Sequence, residues 1–145
     1  MWEALQHAGW VSTLATSRWM YGLVSVIHHS AVLFSIGTIV LLDLRILGVA
    51  NQNQAVSTLA EQLQPWTWIG FGSAVISGFL LFASQAPAYV AATPFRVKMF
   101  VVLLAVIAAL AAEWRHAKLL ALMSIVLWLG ALLAAVEISE LTGLG

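Results

Sequence analysis

The chain has no cysteine, which removes disulfides, thiolate metal sites, iron–sulfur clusters and covalent attachment of a c-type haem. Charge is nearly as scarce: 8% of the residues are Asp, Glu, Lys or Arg, against roughly 25% in an average soluble domain. The formal net charge is zero, and no run of Lys or Arg offers a patch for nucleic acid or anionic lipid. Also missing at the N-terminus is the short apolar core with an A-x-A-like end that marks a cleaved signal, so none is expected there. No internal repeat and no low-complexity segment interrupts the chain.

What is present is apolar. Hydrophobic residues make up 62% of the sequence, and the mean hydropathy is +0.98. Gly22 to Leu42 is a stretch of 21 residues whose only ionisable groups are His28 and His29. At 1.5 Å per residue, roughly 20 apolar residues cross the ~30 Å hydrocarbon core of a bilayer as a helix. Three similar stretches follow: Trp66 to Ala86, Phe95 to Ala112 (broken only by Arg96 and Lys98) and Leu119 to Val136. The sequence therefore predicts an all-α integral membrane protein, a bundle of four transmembrane helices in one domain over 1–145.

Met1 to Thr16 carries Trp2, Leu5, Trp10, Val11 and Leu14 among polar residues and suits a short interfacial helix at about 1–16. The spans fall at about 18–48, 65–86, 95–114 and 118–139. Ser17 is positioned to cap the first. Asn51 to Gln64 reads as the long polar connection, with a weak amphipathic pattern in its second half, and Pro65 as the opening of the second span. Pro87 and Pro94 bracket a short loop before the third. Between the third and fourth lie only Glu113 to Lys118; a continuous helix from Phe95 to Glu140 would be about 69 Å long, so the chain must reverse there in a tight turn.

Four antiparallel spans place Arg18, Arg96, Lys98, Glu137 and Glu140 at one face, with Asp43, Arg45, Glu61, Glu113, Arg115 and Lys118 at the other. Three basic residues on each side leave the positive-inside rule undecided. If Arg96 and Lys98 serve a site, the remaining bias makes the Arg45 side cytoplasmic and both termini periplasmic, in a bacterial inner membrane.

An ionisable group within a span is costly and defaults to a functional reading. At 100° per residue, Tyr21, Ser25, Ser35 and Asp43 share a polar stripe with His28, while His29 points about 100° away. Adjacent histidines cannot straddle one macrocycle, so His28 is the candidate ligand and His29 its neighbour or a lipid-facing residue. His28 lies about 15 Å of helix below Arg18, and Arg96 and Lys98 enter at the same leaflet. An imidazole below a set of cationic groups is the layout of a haem b site, with propionates reaching back to Arg or Lys. No second axial histidine is evident.

Alternatives remain open. The histidines can simply hydrogen-bond to neighbouring helices, or serve a proton or metal path with Asp43. Met20, Met99 and Met123 form no cluster for copper. Asp43 and Arg45 point to different helix faces and read as terminal capping and snorkelling. Glu137 has Arg96 or Lys98 as possible partners. Gly70, Gly72 and Gly78 with Ser73, Ala74 and Ser77 give the second span a small-residue face, a packing signal.

His28, Gly37 and Asp43-Leu44-Arg45-Ile46-Leu47-Gly48, followed by Leu63-Gln64-Pro65-Trp66-Thr67-Trp68, Ser77-Gly78-Phe79-Leu80-Leu81-Phe82 and Phe95-Arg96-Val97-Lys98-Met99, resemble an uncharacterised family of small bacterial four-helix inner-membrane proteins. The resemblance covers about Trp19 to Leu104, and departs in the short link before the fourth helix and at Glu137. More distantly, a histidine in the first helix and a lysine opening the third are similar to the copper-resistance D-type proteins and the J-type protoporphyrinogen oxidases. In the latter such residues belong to a haem site, which carries over to His28 and Lys98 alone.

The expectation is a b-type haem protein passing electrons between a membrane donor such as quinol and an extracytoplasmic acceptor. His28 would be the axial ligand, Lys98 the second ligand or a propionate partner, and Arg18 and Arg96 propionate partners, with His29 adjacent. A second expectation is a non-catalytic accessory subunit, either a homo-oligomer or part of a larger membrane complex. A third is metal or proton translocation.

Overall fold

A computed structural model describes residues 9, 13 and 16–142, with side chains through Ala135. The expected interfacial helix over 1–16 falls almost wholly outside the described residues, as do the side chains of Glu137 and Glu140. The described elements are α1 (Arg18–Leu47), α2 (Val56–Ser84), α3 (Ala86–Ala91), α4 (Thr93–Arg115) and α5 (Lys118–Thr142). No strand occurs among them, and four of these helices are long and apolar enough to cross a membrane. The protein is an all-α, four-helix, multi-pass bundle.

Local chemistry sets the ends. Ser17 caps α1 by accepting a hydrogen bond from the Met20 amide on its hydroxyl at 3.4 Å. Gly48 ends the helix with φ 81°, a left-handed conformation that glycine adopts without the Cβ clash other residues meet. Its amide donates to Arg45 O, and the Val49 amide to Leu44 O, so these two carbonyls of the last turn are satisfied. The Arg45 side chain turns away from the bundle and donates from Nε to Gln54 O at 2.6 Å, tying down the connecting loop. His116, with φ 49°, makes the reversal between α4 and α5 that the length of the apolar run demanded.

Two boundaries differ from the sequence expectation. The second span does not begin at Pro65: α2 starts at Val56 and carries Pro65 in its interior. The weak amphipathic pattern of the polar segment suffices because Leu59 and Ala60 are buried. Proline removes the hydrogen bond to the carbonyl four residues back, that of Glu61, and both residues lie on the exposed side of the helix. The Ala86 to Pro94 segment is also not a simple loop. It forms α3, with Pro87 in the first turn, before Ala92 extends and α4 begins.

Packing organises the bundle as two hairpins. α1 lies along α2 and α4 along α5, and α1 also packs on α5 and, less closely, on α4. α2 has no comparable packing on α4 or α5, so among the described residues a seam separates α2 from α4 with α1 as its floor. Ile36, Ala105 and Trp128 form one core cluster at mid-bundle, and Ile46, Ala112 and Ala121 a second near the His116 end. Alanines recur at the α4–α5 contact because, without a hydrophobic drive between helices in lipid, close backbone approach and dispersion hold the pair. Large apolar side chains such as Leu33, Ile76, Phe100, Ile107 and Leu133 point outward, the inverse of a soluble fold.

Candidate functional site

His28 turns toward α2. Its Nδ1 lies 3.0 Å from Ala74 O and 3.2 Å from Ser77 Oγ. A carbonyl can only accept, so Nδ1 carries the proton and Nε2 presents its lone pair. Among the described residues Nε2 has no hydrogen-bond partner. The Ser77 hydroxyl is committed to Ser73 O at 2.6 Å.

The small-residue face of α2 creates this fit. A Cβ on Gly78 would sit 2.9 Å from His28 Cε1, and one on Gly70 would lie within contact of Ser35, Phe34 and the Ala31 carbonyl. The face is thus occupied by α1 within the chain, and α2 cannot also offer these positions to a second copy.

His29 behaves differently. Its ring is exposed, and Nδ1 donates to Ser25 O at 2.7 Å, one turn back on its own helix. The two imidazoles meet edge to face with centroids 5.6 Å apart. The 100° offset between neighbouring helical positions thus sends one histidine to the α1–α2 contact and the other outward.

Lys98 is half-buried on α4 and within electrostatic range of the His28 ring. It makes no ion pair or hydrogen bond among the described residues. Arg18 and Arg96 are exposed; Arg96 Nη2 donates to Thr93 Oγ1 at 3.1 Å, and Arg18 has no partner among the described residues. The structure thus puts Lys98 within electrostatic range of His28 without a direct contact, and leaves the two arginines exposed toward the same end.

An aromatic group that the sequence reading did not single out closes that end. Phe82 stacks on Phe95 at 5.7 Å, and Tyr89 contacts both, at 6.3 and 5.2 Å. Burial, reinforced by the neighbouring Tyr21 hydroxyl, holds the Tyr89 phenol above the ordinary tyrosine range. Spacing could not reveal this cluster, because its members come from three helices.

No protein-family model, curated protein or solved structure matches the chain. The chemistry of the site is therefore argued from its own residues. Among the described residues no three His, Cys, Asp or Glu side chains come together as ligands for a bare metal ion. A porphyrin is a different case, since it supplies four nitrogens itself and asks the protein for one or two axial donors.

Proposed function

We propose that the protein is a b-type haem-binding electron-transfer protein of a bacterial inner membrane. The observation that carries this reading is the His28 hydrogen bond to the Ala74 carbonyl. An imidazole whose Nδ1–H is held by a backbone carbonyl is fixed in ring orientation and made more basic at Nε2, as metal-ligating histidines commonly are.

In this reading His28 Nε2 would hold the haem iron. Lys98, which has no anionic partner among the described residues, would serve as a second ligand or pair with a propionate, and Arg18 and Arg96 would pair with propionates at the rim. The haem supplies one-electron chemistry when bound. The chain's own residues orient the donor atom, neutralise the carboxylates and keep water from the site through the Phe82, Tyr89 and Phe95 cluster. A quinol in the bilayer is the donor and an extracytoplasmic protein the acceptor, with both termini periplasmic.

The absorption spectrum of protein purified from haem-replete cells tests the proposal. A Soret band that is lost in His28→Ala and shifted in Lys98→Ala supports it. Folded, colourless wild-type protein overturns it.

A further inference from the structure

His29 is an intramembrane group that the reading above leaves unused. It lies eleven residues past Arg18, about 16 Å of helix, so it stands near the middle of the ~30 Å hydrocarbon core. Ionisable side chains at that depth almost always turn inward, yet the His29 ring is exposed. Exposure here means contact with acyl chains.

Hydrogen bonding fixes what the ring offers. The Ser25 carbonyl, 2.7 Å from Nδ1, can only accept, so Nδ1 carries the proton. Nε2 is then an acceptor, and it has no hydrogen-bond partner among the described residues. The helix sector beside it is open: Gly22, two turns nearer the Arg18 end and about 20° from the same line, has nothing within 4 Å of where a Cβ would stand. Val26 and Leu33, exposed on the adjoining turns, are larger than the residues through which a second helix packs closely.

We propose that His29 Nε2 accepts a hydrogen bond from the hydroxyl of a lipid-soluble hydroquinone, which docks from the bilayer in the notch at Gly22. The inference deepens the electron-transfer reading and rests on it for the choice of a quinol as donor.

The surroundings select this occupant. An acceptor left bare in hydrocarbon is costly, water is scarce at mid-core, and lipid headgroups lie too far away to reach it. The partner must therefore carry a donor and dissolve among acyl chains, as a hydroquinone with an apolar tail does. Its ring is flat, and the missing side chain at Gly22 gives a flat ring room against the helix. The bond also brings the hydroxyl beside His28, whose ring meets that of His29 edge to face at 5.6 Å. That is where the donor has to arrive in the reading above.

The probe is a radiolabelled para-benzohydroquinone with a short alkyl tail, equilibrated anaerobically with the full chain in lipid nanodiscs and counted above protein-free nanodiscs. One saturable site per chain is expected. His29→Phe keeps a ring and removes the acceptor, and should weaken binding about 2- to 10-fold, the net worth of one hydrogen bond. Gly22→Leu fills the notch and should weaken it as well. The dimethyl ether of the probe has no hydroxyl and should not compete. Thermal melts establish that each variant is folded.

No saturable binding to folded wild type overturns the proposal, as does unchanged binding in His29→Phe or competition by the ether equal to that of the hydroquinone. Loss of a dimer in His29→Phe with binding intact assigns the face to a second copy and overturns it too. Binding is counted without a haem spectrum. A coloured protein that binds no hydroquinone sinks this inference alone, and a colourless one that binds it sinks the haem reading alone.

Discussion

The His28 ring rests on the backbone of Gly78: a methyl group there would lie 2.9 Å from Cε1 and 3.3 Å from Nδ1. The glycine and the imidazole therefore specify each other, and the donor atom's position depends on a residue that cannot bind anything itself.

Alanine substitutions along α2 should separate by position. Gly78→Ala and Gly70→Ala force α1 and α2 apart and should cost about 1–3 kcal/mol, the usual penalty of overpacking. Gly72 has open space around its Cα, so Gly72→Ala should be neutral or slightly stabilising, by up to about 1 kcal/mol, from helix propensity. Thermal melts in detergent give the comparison, and a fall in Gly72→Ala equal to that in Gly78→Ala would contradict the packing.

A smaller effect is expected from the hydroxyl pair at mid-bundle. Thr67 Oγ1 donates to Thr38 Oγ1 at 2.8 Å, and Thr38 in turn donates to Ser35 O at 2.8 Å. Thr38→Val keeps the shape and removes this link between α1 and α2. Interhelical hydrogen bonds in membranes average about 0.6 kcal/mol, so its melt should drop far less than that of Gly78→Ala.

Trp128 separates packing from polarity. It is 4% exposed in the core with Ile36 and Ala105, and its Nε1 has no partner among the described residues. Trp128→Phe trades lost contacts against a removed orphan donor worth about 1–3 kcal/mol, and should stay close to wild type. Trp128→Ala should cost about 3–5 kcal/mol through the cavity it leaves. Equal melts for the two variants would show that the ring contributes little packing.

Tyr89 gives the pH dependence. Its phenol is held above the ordinary range by burial and by Tyr21, so the folded state favours the neutral form. That contribution is complete below the unfolded pKa of about 10 and declines as pH rises above it toward the folded value. Alkaline melts should therefore fall above pH ~10 in wild type and fall less in Tyr89→Phe. Absorbance at the tyrosinate band should show a late-titrating component that this variant lacks.

The spans were legible because their apolar runs exceed the bilayer thickness, and the reversal at His116 because a single helix would be too long. The start of α2 was not. Pro65 looks like a first-turn residue, and only the burial of Leu59 and Ala60 reveals why helix precedes it. The different fates of His28 and His29 followed from the 100° step. Which partner held His28 did not, since Ala74 contributes a backbone carbonyl that no side-chain pattern encodes. Asp43 read as a terminal cap because its burial is created by neighbouring helices.

The seam between α2 and α4 has a bearing on biogenesis. Among the described residues α1 is the long helix packed closely on both hairpins, so the chain divides at α3 into two pieces, each with its own internal partner surface. Each hairpin could insert and pair before the other arrives. Co-expressed fragments cut near Gln85 would then reassemble by the docking of α1 on α5.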